Sequence, residues 1–226
     1  MKKRFFVCIT VATLALFLSV GSVFAQPNTG FYFGFSGGFV IPQTMRISDP
    51  DNSANYIDTT LTNGYLVGVT TGWHTPFTRK IMAMEIEYNY MFGTDFDKNK
   101  ILETGETFDG TIGVHALMFN LKARYPEGPI HPYAGAGLGW SYFQVGDITA
   151  RSGGSVVDIM PGSSGNAFCW QLMTGVDFDI APNMSLGVGY KYFAANPTIG
   201  ERYGSGIYAD FDYRASIITM GLTFVF

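Results

Sequence analysis

The chain closes on Ile218-Thr219-Met220-Gly221-Leu222-Thr223-Phe224-Val225-Phe226, where every second residue is large and apolar. Successive side chains of an extended strand point to opposite faces. Ile218, Met220, Leu222, Phe224 and Phe226 therefore share one face, and Thr219, Gly221, Thr223 and Val225 the other. A strand with one face on hydrocarbon and the other toward a barrel lumen has this period.

Working upstream, seven further segments repeat the pattern: 30–41, 63–73, 81–92, 111–125, 132–145, 167–180 and 185–194, with the closing segment running from about Phe211. The third is the clearest, with Met82, Met84, Ile86, Tyr88, Tyr90 and Phe92 opposite Ala83, Glu85, Glu87 and Asn89. In the fourth, Leu117, Phe119, Leu121 and Tyr125 oppose Asn120, Lys122 and Arg124. In the sixth, Phe168, Trp170, Leu172, Val176 and Phe178 oppose Gln171, Gly175, Asp177 and Asp179, and Lys191 is the charge of the seventh. Charges and most glycines thus keep to one face and bulky apolar residues to the other.

The connections alternate in length. About twenty residues join segments one and two, nearly as many join three and four, another twenty join five and six, and about fifteen join seven and eight. The intervening links, His74–Lys80, Pro126–His131 and Ala181–Met184, are short and carry prolines. An even number of antiparallel strands with short turns at one rim and long loops at the other predicts an all-β fold. The expected form is an eight-stranded transmembrane up-and-down β-barrel with short periplasmic turns and long extracellular loops. A soluble barrel of lipocalin type also alternates, but it points its bulky apolar residues inward. Here they would face water as an aggregation hazard unless lipid covered them. Trp73, Tyr125 and Phe226 are expected at the short-turn rim, and Tyr90, Phe92, Tyr142, Phe168 and Tyr192 near the long-loop rim, as two interfacial belts.

Lys2, Lys3 and Arg4 precede an apolar run, Phe5 to Val20, followed by Val23-Phe24-Ala25. This reads as a secretory signal peptide over residues 1–25, cut after Ala25, with a barrel domain over 26–226. The run is shorter than the roughly 20 residues of a spanning helix. Cys8 precedes the core of the run, so no lipid anchor is expected on it. Cleavage takes three cations from a balance of 14 basic and 18 acidic residues, leaving 11 against 18, a net charge of about −7. With no basic cluster, nucleic acid is not an expected partner. Cys169 is the one thiol left after processing, so no disulfide is expected.

Several stretches resemble a known family. These are Gly30-Phe31-Tyr32-Phe33-Gly34, Pro132-Tyr133-Ala134-Gly135-Ala136-Gly137-Leu138-Gly139-Trp140, Gly175-Val176-Asp177-Phe178 and Gly221-Leu222-Thr223-Phe224-Val225-Phe226. Together they resemble the small outer-membrane beta-barrel domain of outer-membrane protein A and X types. The resemblance spans the whole mature chain. It implies a monomer in the bacterial outer membrane, in contact with its lipid and lipopolysaccharide and delivered by periplasmic chaperones. It also implies that the Phe224–Phe226 end is read by the outer-membrane assembly machinery, and no periplasmic peptidoglycan-binding domain is expected after the barrel.

Eight strands leave a bore just wide enough for side chains to fill. Glu85, Glu87, Lys122, Arg124, Asp177, Asp179 and Lys191 are expected to meet there as a salt-bridged plug, with a narrow ion conduit as the competing reading. If residue numbers in the hairpin between segments three and four sum to 207, Glu85 stands opposite Lys122. A barrel enzyme acting on outer-membrane lipid is the second hypothesis. His74 and His131 fall in short turns as solvated rim residues, and His115 with Ser141 or Asp109 is the one grouping worth testing. Asp95, Asp97 and Asn99, with Glu103 and Glu106 beyond, echo a calcium loop, but Lys100 stands where that turn needs glycine. No metal or other cofactor is therefore expected. Function is expected in four exposed loops, as a structural or surface-interaction protein.

Overall fold

The computed structural model describes residues 30–48, 56–96, 107–152, 155–160, 162–200 and 208–226. The leader lies outside them. In chain order the strands are β1 Phe31–Pro42, β2 Met45–Ser48, β3 Tyr56–Thr59, β4 Gly64–His74, β5 Met82–Asp95, β6 Thr107–Asp109, β7 Thr111–Arg124, β8 Ile130–Val145, β9 Ile148–Ser152, β10 Ser155–Met160, β11 Ser163–Ala181, β12 Met184–Ala195, β13 Thr198–Gly200 and β14 Tyr208–Val225.

Eight of these are the staves of a closed antiparallel barrel, in the order β1, β4, β5, β7, β8, β11, β12, β14 and back to β1. The alternating stretch Ile218–Phe226 closes it: Phe224 pairs with Phe33, Leu222 with Phe35 and Ile218 with Phe39. The Phe226 amide donates to the Phe31 carbonyl at 2.8 Å. Full closure removes the unpaired edges that an open sheet would expose to lipid.

The alternation read from the sequence is the alternation of faces. Leu117, Phe119, Leu138, Trp140, Phe168, Leu172, Ile218 and Met220 are all more than half exposed on the outer surface. From Tyr125 to His115, ten residues along β7, the climb is roughly 26 Å for a strand rising about 3.4 Å per residue and tilted about 40°. That is about the height of the apolar band of an outer-membrane barrel. Rings gather at both ends of it: Phe31 on Trp73 at 6.0 Å and Trp73 beside Phe77 below, Tyr90 on Phe92 and Trp170 beside Tyr192 above.

The short-turn rim is tight. Between β4 and β5, Pro76–Thr78 form one 3-10 turn, and Arg79 and Lys80 follow with φ of 56° and 63°. Thr75 and Thr78 hydroxyls bond each other, and the Met82 amide donates to Thr78 Oγ1 at 3.1 Å. The long connections hold more strand than the sequence pattern marked. β2 and β3 prolong the β1–β4 hairpin, and β14 continues outward to pair with β2 on one side and β13 on the other. The second and third long loops join in a separate sheet in which β9 lies between β6 and β10.

One expected register is corrected. Along the membrane-spanning length of β5 and β7 paired numbers sum to 205, not 207: Glu85 pairs with Asn120 and Lys122 with Ala83. A two-residue slip leaves every side chain on its own face, so the hydrophobic pattern cannot distinguish the two registers.

Candidate functional site: the barrel lumen

Glu85, Glu87, Lys122, Arg124, Asp177, Asp179 and Lys191 all project from inner-face positions, but into three groups at different heights rather than one cluster. At the periplasmic mouth Arg124 Nη1 donates to His74 Nε2 at 2.8 Å, and the His74 ring lies 4.5 Å from that of Tyr32. Beside them His131 Nε2 is 2.9 Å from Asp179 Oδ2 and His131 Nδ1 2.8 Å from the Tyr125 carbonyl, while Ser185 donates to Asp179 Oδ1 at 2.7 Å. Both histidines are buried, at 5% and 3% exposure. They are therefore not the solvated rim residues the turn pattern suggested, because each ring points inward and finds a partner across the mouth.

One level up, Lys122 Nζ is 3.0 Å from Glu85 Oε1 and 3.5 Å from Asp177 Oδ2, and it lies 4.4 Å over the Tyr133 ring. Tyr32 donates to the same Glu85 oxygen at 2.6 Å. Glu85 and Lys122 meet diagonally across the ladder rather than as a direct pair. Higher still, Lys191 bonds Glu87 Oε1, while Asn120 and Gln171 donate to Glu87 Oε2 at 3.0 and 2.9 Å. Gln171 also donates to Asn120 Oδ1 at 2.8 Å. Buried charges persist only when paired and hydrogen-bonded, and here β5, β7, β11 and β12 each supply a partner.

Glycine on the inner face makes room for these chains. A Cβ at Gly72 would fall on the Tyr32 phenol, and one at Gly175 would stand 2.5 Å from the Tyr133 hydroxyl.

The outer half of the bore is apolar. Leu66, Met91, Met118, Phe143, Phe193 and Tyr213 are buried in one cluster, with the Tyr213 ring edge-on to Phe143 at 5.4 Å and to Phe193 at 6.2 Å. Cys169 Sγ is 3.3 Å from Met118 Sδ within it. The sequence reading missed this layer, and missed Tyr32, Asn120, Tyr133 and Gln171 in the polar one. All of them occupy inner-parity positions, which was the available signal. Below the apolar layer a cavity of about 80 Å³ is lined by Tyr32, Glu85, Lys122, Tyr133, Asp177 and Lys191, among others.

The one catalytic grouping suggested by the sequence does not assemble. His115 faces outward, stacked 4.5 Å from Tyr90 with its Nδ1 2.7 Å from the Tyr88 hydroxyl. Ser141 is buried on the inner face and donates to the Ala167 carbonyl at 3.1 Å. The barrel wall stands between them, and the Asp109 side chain is outside the described set. Of the calcium candidates, Asp95 ends β5 and pairs with Thr111, while Asp97, Asn99, Glu103 and Glu106 lie outside the described residues. Among the described residues no group of three or more His, Cys, Asp or Glu is placed to hold a metal ion.

A closed eight-stave wall, greasy outside between two aromatic belts and filled within, defines a β-barrel protein of the bacterial outer membrane. A family model for the outer membrane protein beta-barrel domain matches residues 10–226, and the chain belongs to that family. No curated protein matches it. Among solved structures, it is similar to Neisserial surface protein A, with 17% identity, a TM-score of 0.51, and 89% of this chain and 100% of that one covered. It is also similar to the outer membrane protein OprG from Pseudomonas aeruginosa, at 13% identity and a TM-score of 0.52 over 88% and 96% of the two chains. The outer membrane protease OmpT from Escherichia coli follows at 11% identity and 0.51 over 87% and 96%. At these identities the likeness is one of fold.

Proposed function

We propose that the protein is a sealed, monomeric outer-membrane barrel, exported by the leader over residues 1–25, that acts through its extracellular loops as a structural or surface-interaction protein. The observation that carries this reading is the two-layer filling of the bore: an ionic layer toward the periplasm, where Glu87 meets Lys191, and an apolar layer above it around Phe143, Phe193 and Tyr213. A filled bore argues against bulk passage. The outward strands β2, β3, β9, β10, β13 and the top of β14 give the loops a stiff base, suited to presenting a binding surface. Lipopolysaccharide around the upper belt or a molecule on a neighbouring cell would be the partner. Periplasmic chaperones and the assembly machinery, reading Phe224 and Phe226, would deliver the chain to the membrane.

The separation of His115 from Ser141 supports a non-enzymatic role, and the protease among the structural neighbours lends only its fold. Deleting each long loop in turn and scoring adhesion of the cells to a host surface tests the reading. Loss of adhesion with a barrel that still folds is the expected result. Four loop deletions that leave adhesion and surface binding unchanged would contradict it.

A further inference from the structure

We propose that the first periplasmic turn, between β4 and β5, docks an anionic glycerophospholipid of the leaflet facing the periplasm, with Phe77 among its acyl chains and Arg79 and Lys80 on its phosphate. The turn, Pro76-Phe77-Thr78-Arg79-Lys80, carries two cations and no acid. Of the other two short turns, the one over residues 125–129 carries only Glu127 as a charge, and the one over 182–183 carries none. Positive charge on the short turns is therefore gathered at one place on the rim.

The lipid-facing surface continues onto this turn. Phe77 is 79% exposed, the highest value of any large apolar side chain among the described residues. Its ring lies 6.4 Å from Trp73, which stacks on Phe31 at 6.0 Å, and Ile81 at the other end of the turn is exposed as well. A large ring left in water is a liability, whereas rings at the headgroup level with basic side chains beside them suit an anionic membrane surface.

The turn is also held rigidly. Thr75 Oγ1 donates to the Met82 carbonyl at 2.9 Å, the Lys80 amide to the Thr75 carbonyl at 3.2 Å and the Ile81 amide to the Thr78 carbonyl at 3.1 Å. Ring and cations are thus set side by side before a lipid arrives, and little ordering is left for binding to do. Arg79 and Lys80 are exposed, and both are left-handed, with φ of 56° and 63°. Glycine would occupy such positions without strain. Two long basic side chains in consecutive strained positions point to a task for their charge.

The proposal concerns the periplasmic rim and is independent of the loop-based reading above. Its test is the quenching of tryptophan fluorescence by brominated lipids. Trp140→Phe and Trp170→Phe leave Trp73 as the single reporter in the refolded mature chain. The barrel is placed in phosphatidylcholine vesicles with a small, equal fraction of brominated phosphatidylglycerol or brominated phosphatidylcholine. The expected result is roughly two-fold or stronger quenching by the anionic lipid. High salt should remove the excess, as should Arg79→Gln combined with Lys80→Gln. Equal quenching of Trp73 by the two lipids overturns the proposal. So does an excess that survives loss of both cations, or one of the same size at Trp170 in the upper belt when that is the single reporter. Should the single-tryptophan chains fail to refold, spin-labelled lipids decide on the barrel with all its tryptophans. An immobilised fraction larger for phosphatidylglycerol than for phosphatidylcholine, and equalised by Arg79→Gln with Lys80→Gln, supports the site. Equal fractions with the native turn overturn it.

Discussion

Lys191 on β12 and Glu87 on β5 meet across the bore of the barrel, with three staves between them on either path around the wall, and the second oxygen of Glu87 is held by Asn120 and Gln171. The pair ties opposite sides of the wall together at the level where the polar layer gives way to the apolar one.

Removing one partner strands the other. Lys191→Met leaves Glu87 buried without its cation, which typically costs about 3–5 kcal/mol. The double variant Glu87→Met with Lys191→Met removes both charges and is expected to recover much of that loss. Urea unfolding in lipid vesicles, followed by tryptophan fluorescence, measures both. A single variant as stable as the double one would mean that the pair is not coupled.

The outer face makes a depth-dependent prediction. Leu121, half-exposed near mid-height, should resist charge: Leu121→Arg is expected to destabilise the barrel by about 2–4 kcal/mol in a bilayer. Ile130→Arg, next to a periplasmic turn, should cost about 0–1 kcal/mol. Equal costs at the two positions would place the bilayer elsewhere on the wall.

Gly72 and Gly37 separate packing from propensity. Gly72→Ala would drive a methyl into the Tyr32 ring and loosen its bond to Glu85, for an expected loss of about 1–3 kcal/mol. Gly37 faces lipid, and a Cβ there meets nothing nearer than the Leu66 carbonyl oxygen at 3.9 Å. Gly37→Ala should leave the unfolding midpoint within experimental scatter.

Arg79 sits at φ 56° in the first periplasmic turn, a left-handed conformation that an L-residue adopts at a penalty of about 1–2 kcal/mol and glycine does not. Arg79→Gly is therefore expected to stabilise the folded barrel by up to about 1 kcal/mol, read as a higher urea midpoint. A lower midpoint would show that the Arg79 side chain contributes more than its backbone loses.

The faces of the barrel were legible because parity is a local property. Whether Glu85 or Ile86 points inward is decided by its immediate neighbours, and a lipid solvent makes the answer visible in composition. The Glu85–Lys122 contact was foreseen from the wrong register, since long side chains reach a diagonal neighbour as readily as a direct one. The apolar layer was less legible. Met118, Phe143 and Phe193 share inner parity with glycines and charges, and only their height in the bore, above the ion-paired layer, sets them apart. His131 and His74 were misread for a similar reason: their turns are exposed, but their rings point inward to partners far away in sequence, Asp179 and Arg124. The strands within the long loops gave little signal, because each is only three to six residues long, too short for an alternation to stand out.

Planar-bilayer recording of the refolded chain is the most direct test of a bore filled from wall to wall. The structure predicts a silent membrane, with no steady current at voltages that leave the barrel intact. Sustained steps in the nanosiemens range, with Glu87, Lys191, Phe143 and Phe193 all native, would contradict it.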